Sequence, residues 1–461
     1  MLRQLFKTFS NCLKIPELRS RILFTALVLV VARLVAMTPV PGLNGAELAA
    51  YFQKIAEQNV AGNSVVALYS LFTGGAIERC AVGALGIMPY ISATIIIQLL
   101  TAVIPALNKL VREEGGRAKI IAYGRYLTVL LCLGQGFVMA LGWQNPEATF
   151  PGFTGKLVMV ENLWIYRIQT TIILTTGTLL LMWLGEQITE RGVGNGVSLI
   201  IMVGILSRLP IAVKELFLKF FPAAGMPQAA NWMYGIFLIL LLIAVVASVV
   251  LITQGQRKIP VQYAQRAVGR KVYSGGTSYI PLKVNYTGVM PVIFAQAILM
   301  LPGMLFQKIG QVYDISFFLK LGGLFSYSSW FYFLAEALMI MFFSYFWVAT
   351  QFNELQVADD LKKYGGYIPG VRPGQATADA LHKTMNRITF AGAIFLVIIA
   401  LIPTLMTRFL KLDYSITQFF GGTSMLITVG VLLDTMRQME SFLLMRHYDG
   451  FLKKGRVRGR V

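Results

Sequence analysis

Apolar runs of about twenty residues, separated by short polar stretches, recur along nearly the whole chain. A helix rises 1.5 Å per residue, so crossing the hydrocarbon core takes about 20 mostly apolar positions. Ten segments meet that requirement: 22–40, 81–104, 120–143, 165–184, 197–213, 233–252, 288–306, 330–349, 388–406 and 414–433. The pattern predicts ten membrane-crossing helices. One further apolar stretch, 64–72, is far too short to cross, and Gly74-Gly75 and Glu78-Arg79 separate it from the second span. Such a segment is re-entrant or interfacial: a surface helix on the outer face, or a piece folded back into the centre of the bundle. Residues 1–21 form a basic, partly amphipathic arm, and no small-residue cleavage site follows the first apolar run at a leader's spacing.

Composition agrees with this reading. The chain is 56% hydrophobic and 13% charged, where a soluble domain is about 45–50% apolar and about 25% charged. A soluble globule, a disordered tail and a fibrous repeat are all excluded. An even number of spans places both termini on one side, and Lys and Arg decide which side that is. The loops and tails on the terminal side carry 28 of them, the opposite loops nine. Both termini are therefore expected in the cytoplasm. Topology accounts for most of the net charge of +20, but two loops on that side are too long to be mere connectors. Residues 255–285 hold six positive charges and no Asp or Glu, and 353–384 contain one Gly-Gly and two Pro-Gly turn signals. Ordered basic loops of this length suit nucleic acid or an acidic protein surface.

The two halves of the chain share a motif. GIMPYISATII (86–96) and GVMPVIFAQAI (288–298) match at six of eleven positions with a constant offset of 202. They fall in the second and seventh spans, so the repeat unit is five spans. Because five is odd, the second copy is inverted in the membrane, an arrangement that places a functional site between the halves near the midplane.

Transporters coupled to ions or protons usually bury acidic residues or His within their spans, at about 2.5–3.5 kcal/mol per charge. Here the spans hold Arg33, Arg125, Arg167 and Glu336, with Glu186 and Asp434 at span ends. No acid–base pair emerges, which disfavours the alternative reading of an ion-coupled secondary transporter of a small solute. The middle of the bundle offers aliphatic residues instead: Ile87, Ile91, Ile201, Ile293 and Ile427. Converging, they would make a hydrophobic constriction that gates by dewetting. Gly192-Val-Gly-Asn-Gly196 reads as a tight turn into the fifth span, since no strand precedes it, and no G-x-x-x-x-G-K-[ST] loop occurs. Three cysteines without a C-x-x-C pair and two histidines leave no case for a disulfide framework or a metal centre. No enzyme activity, metal or cofactor is expected.

Six stretches, KIPELRSRILFT (14–25), ALGIMPYISATIIIQLLT (84–101), LGEQITERGVGNGVSLII (184–201), QRKIPVQYAQR (256–266), LKKYGGYIPGVRPG (361–374) and FFGGTSMLITVGVLLDT (419–435), together resemble the SecY family of the bacterial Sec translocon from end to end. The resemblance implies an all-α polytopic membrane protein: ten transmembrane helices in two inverted five-helix halves around a central hourglass pore, with a re-entrant plug helix. The implied organisation is a cytoplasmic arm (1–21), an N-terminal half (22–221), a C-terminal half carrying the docking loops 255–285 and 353–384 (222–436), and a basic tail (437–461). The pore ring would be Ile87, Ile91, Ile201, Met290 and Ile427; Met290 stands where family members commonly have isoleucine, and its flexible apolar side chain still seals. The plug would comprise Ser64, Val65, Val66, Ala67, Leu68, Tyr69, Ser70, Leu71 and Phe72. A lateral gate between the second/third and the seventh/eighth spans would include Gln98, Ile91 and Ile293. Arg257, Lys258, Arg266 and Arg372 would dock the ribosome or the SecA motor, although NELQVADD, the start of the second loop, departs from the usual family pattern. The resemblance further implies SecE and SecG as companion subunits and SecDF and YidC as further partners. Signal peptides and nascent chains would be the cargo, membrane lipid and ribosomal RNA further contacts, and the bacterial cytoplasmic membrane the location.

Overall fold

The computed structural model describes residues 15–57, 70, 73–146, 153, 155–220, 232–263, 266–268, 271–273, 277–286, 288–313, 315–325, 329–410 and 423–454. Helices occupy each predicted span. They are α1 (Pro16–Met37), α3 (Met88–Val103), α5 (Gly116–Gln144), α6 (Leu163–Arg191), α7 and α8 (Gly196–Leu206 and Leu209–Phe220), α9 (Trp232–Gln254), α10 (Met290–Tyr313), α12 (Trp330–Gln351), α14 (Gln375–Leu410) and α15 (Thr423–Lys454). Shorter helices are α2 (Gly45–Glu57), α4 (Pro105–Arg112), α11 (Ser316–Leu324) and α13 (Glu354–Lys363). Among the described residues seven helical segments are long and apolar enough to cross a membrane, and the bent pair α3–α4 makes an eighth. The last predicted span is described only from Thr423.

Local chemistry explains the breaks. Pro105 has no N–H to continue the helix and forces the residue before it out of the helical region. Ile104 accordingly sits at φ −92°, ψ 113°, and the chain turns by 105° between α3 and α4. Asn162 caps α6, its Oδ1 accepting from the amides of Trp164 and Ile165 at 3.1 and 3.4 Å. Asn195 does the same for α7 through Ser198 N–H at 3.2 Å. The expected tight turn at 192–196 is therefore present, with Gly194 at φ +89°.

The chain divides into two compact units. The first holds residues up to Gln228 together with 414–416 and the last helix from Ile427 onward. Within it α6 is the hub, packing on α1, α5 and α7. Thr25 Oγ1 accepts from Val193 N–H at 3.0 Å, and Gln438 Oε1 accepts from Gly194 N–H at 2.9 Å. Leu18, Val193 and Met439 bury one another at the same place. In this way the 192–196 turn gathers the first and last helices.

The second unit comprises 229–413 and 417–426, with α12 packed between α10 and α14. The two long polar loops join here. β1 (Gln256–Tyr263) and β4 (Thr277–Lys283) run antiparallel over seven paired positions from Gln256↔Lys283. β2 (Arg266–Val268) and β3 (Lys271–Tyr273) make a second antiparallel pair. From the other loop, β5 (Gly366–Tyr367) adds to the free edge of β1, and Tyr367 Oη donates to Gln262 Oε1 at 3.0 Å. Beneath the sheet, Val261, Leu361, Ile368 and Leu381 form an apolar core. The spans are helical as expected, while the loops contribute short strands. α14 also begins inside the second loop, well ahead of its apolar segment.

Candidate functional site

The repeated motif has the same local structure in both copies. Gly86 and Gly288 both adopt left-handed backbone, at φ +59° and +64°, which only glycine tolerates freely. Two residues later Met88 and Met290 each begin a helix, with Pro89 and Pro291 in the first turn, where a missing N–H costs nothing. Ala93 and Ala295, equivalent in the repeat, are both fully buried. Each copy thus turns sharply and starts a helix behind a row of buried small and apolar side chains.

Four of the predicted ring residues lie in the first unit. Ile87 is 3% exposed, Ile91 6%, Ile201 2% and Ile427 1%. Ile87 and Ile91 sit one turn apart at the start of α3, joined by the Ile91 N–H to Ile87 C=O bond at 3.2 Å. Ile87 also lines a small cavity with Gly86, Arg33 of α1, and Ile200, Val203 and Gly204 of α7. Gln98, farther along α3, is half-buried, and its Oε1 has no hydrogen-bond partner among the described residues. Of the predicted plug only Ser70 is described; Ser64–Tyr69, Leu71 and Phe72 lie outside the described residues.

In the second unit Met290 is half-buried as the first residue of α10, and Ile293 is 1% exposed one turn on. Arg257 and Lys258 project from β1 as exposed residues, and Arg266 stands at the start of β2. Arg372 is exposed in the turn that leads into α14, where Thr377 Oγ1 donates to its carbonyl at 2.9 Å and the Thr377 N–H to the Gly374 carbonyl at 3.0 Å. The β1–β5 pairing makes one folded surface of these two loops.

Two polar features were not singled out from sequence. Gln296 Nε2 donates to Glu336 Oε1 at 3.1 Å, a buried contact between α10 and α12. Its counterpart in the first repeat, Thr94, donates through Oγ1 to the Tyr90 carbonyl of its own helix at 2.8 Å. Arg208, at the end of α7, reaches Glu78 and Ser70. An ionisable residue inside an apolar stretch is costly and so informative; that signal was legible at Arg208 and was missed.

Comparison with known proteins sets this geometry in a lineage. The sequence model of the SecY family matches residues 81–436. The protein translocase subunit SecY of Thermotoga maritima is 42% identical over 460 residues, covering 99% of this chain and 100% of that one. Among solved structures, one described as a protein-conducting channel superposes with TM-score 0.60 at 19% identity, covering 91% of each chain. Sec61 in the canine ribosome–channel complex from the endoplasmic reticulum superposes with TM-score 0.57 at 19% identity and the same coverage. The helical, multi-pass architecture of these channels is the fold seen here, and by the extent of its sequence match the chain belongs to the SecY family.

Proposed function

We propose that the chain is the protein-conducting channel of a bacterial Sec translocon, passing unfolded, signal-bearing polypeptides across the cytoplasmic membrane and releasing apolar segments sideways into lipid. The observation that carries this reading is the SecY-family match over 81–436 together with a curated translocase subunit aligned over nearly the entire chain. Neither the family nor the matched structures are those of a small-solute transporter, so secondary transport gains no support.

In this reading Ile87, Ile91, Ile201, Met290 and Ile427 form a dry constriction, loose enough to yield to a polypeptide and apolar enough to deny ions a hydrated path. The burial of Ile87, Ile91, Ile201 and Ile427, and the matching helix starts of the two repeats, support it. Gln98, Ile91 and Ile293 would meet the signal peptide at the lateral gate, and 64–72 would plug the outer funnel. The N-terminal half (22–221) and the C-terminal half (222–436) would be the two leaves, with both termini cytoplasmic. No nucleotide loop occurs in the sequence, so driving energy comes from a partner: the SecA ATPase or the ribosome, docked on Arg257, Lys258, Arg266 and Arg372. A ribosome-bound relative of the same fold supports the docking role. SecE and SecG would complete the membrane complex.

The test is reconstitution of the full chain with SecE and SecG in vesicles, followed by addition of a precursor, SecA and ATP. Protease-protected precursor is expected only when both signal and ATP are present. Arg372→Glu should abolish protection while the protein stays monodisperse and folded; normal transport by that variant would remove Arg372 from the docking surface. No protection by the parent chain would count against the channel reading itself.

A further inference from the structure

The segment that leads into the second span is fastened from two sides within the first unit. Arg208 Nη2, at the end of α7, contacts both Glu78 Oε1 and Ser70 Oγ. Ser70 Oγ also donates to the same Glu78 oxygen at 2.5 Å, so three groups close a small polar triangle. From the other side Arg33 of α1 donates through Nη2 to the Gly74 carbonyl at 3.2 Å. Gly74 is packed so closely that a Cβ there would lie 2.4 Å from Arg33 Nη1 and 2.9 Å from Gly204 Cα. Arg208 and Glu78 each keep 25% of their side-chain surface exposed, which leaves the pair shielded yet reachable. The helix itself, GVSLIIMVGIL, is apolar or glycine apart from Ser198 near its far end, so the ion pair made by Arg208 just past Leu206 is a directional contact between the end of α7 and the incoming segment.

We propose that the Glu78–Arg208 ion pair, closed by Ser70, is a positioning latch that sets how readily the resting channel opens. The proposal rests on the channel reading above. Arg208 does not touch cargo; it acts by holding Ser70 and the turn 73–80 against α7 beside the cavity that Ile87 lines. Breaking the pair leaves a guanidinium and a carboxylate partly buried without each other, and both regain solvation only if the segment moves away. A loosened segment would uncover Cys80, which is fully buried and so shielded from reagents in the surrounding water while the latch is closed.

The experiment uses the full chain with its companion subunits in vesicles. Precursor transport by the parent is measured first, so that failure of the channel reading shows before any variant is made. Without precursor, Glu78→Arg and Arg208→Glu should each raise resting chloride flux and maleimide labelling of Cys80 by roughly tenfold or more, between the small effect of an exposed ion pair and the large one of a buried pair. The double exchange Glu78→Arg with Arg208→Glu should restore both readouts towards the parent, which a merely structural lesion would not do. Unchanged flux in the folded single variants, or no restoration by the exchange, overturns the proposal. Should the single variants fail to fold, Ser70→Cys with Arg208→Cys, with Cys12, Cys80 and Cys132 changed to alanine, is bridged by a short cleavable dithiol cross-linker. Block of precursor transport that reductant relieves is expected. Undiminished transport through the bridged channel overturns the proposal.

Discussion

Polar and apolar side chains divide the work at single positions. Met290→Asn or Ile427→Asn would place an amide where the reading requires a dry ring, and wetting should follow. Electrical recording of the resting, reconstituted channel should show ion leak in either variant, and parent-level conductance would remove that residue from the ring. Gln296 behaves differently, because its amide meets the one carboxylate wholly buried in a described span, Glu336. Gln296→Leu would strand that carboxyl and should cost about 1–3 kcal/mol, read as a lower melting temperature in detergent. Glu336→Leu in the same background should recover much of the loss, since removing both partners is cheaper than removing one. Ile91 and Ile293 stand out in sequence as matched positions of the repeat, whereas Ile201 and Ile427 lie outside it and are named by the family resemblance. The partner of Glu336 does not stand out: a glutamine within an apolar span looks the same whether it faces lipid or a carboxylate 40 residues away.

At the scale of the element, span positions were legible because the apolar run must match the membrane's thickness. Their ends were less so. α14 begins at Gln375, ahead of its apolar segment, because Gly374 at φ +102° ends the preceding turn and polar residues then continue the helix in water. The strands were missed for a related reason: QRKIPVQY alternates weakly, and its partner TSYIPLK pairs with it across a gap of 13 residues. Crossing points between helices follow glycine. A Cβ at Gly196 would lie 1.9 Å from the Gly185 carbonyl oxygen, so α6 and α7 approach backbone to backbone. Gly196→Ala should destabilise the protein by about 1–3 kcal/mol, the usual cost of forced overpacking. A thermal scan showing no loss would mean the two helices can slide apart there. Gly115→Ala offers a contrast, since nothing lies within 4 Å of a Cβ there, although its φ of +76° still penalises any side chain.

For the molecule as a whole, the repeat and the long basic loops carried most of the reading, and the family match supplied the cargo. What the sequence left hidden was that the loops are a single body. β1 starts at Gln256, two residues after α9 ends, and β5 lies in the connection from α13 to α14. Two antiparallel strand contacts and the core of Val261, Leu361, Ile368 and Leu381 weld those connections together. The second core, Leu282, Val348, Phe352, Met385 and Ile388, roots the weld on α12 and α14. In mechanical terms the sheet is a tie bar. A load applied at the Arg372 turn is borne at once by the ends of α9, α12 and α14, so a partner need grip only one loop to exert torque on three helices.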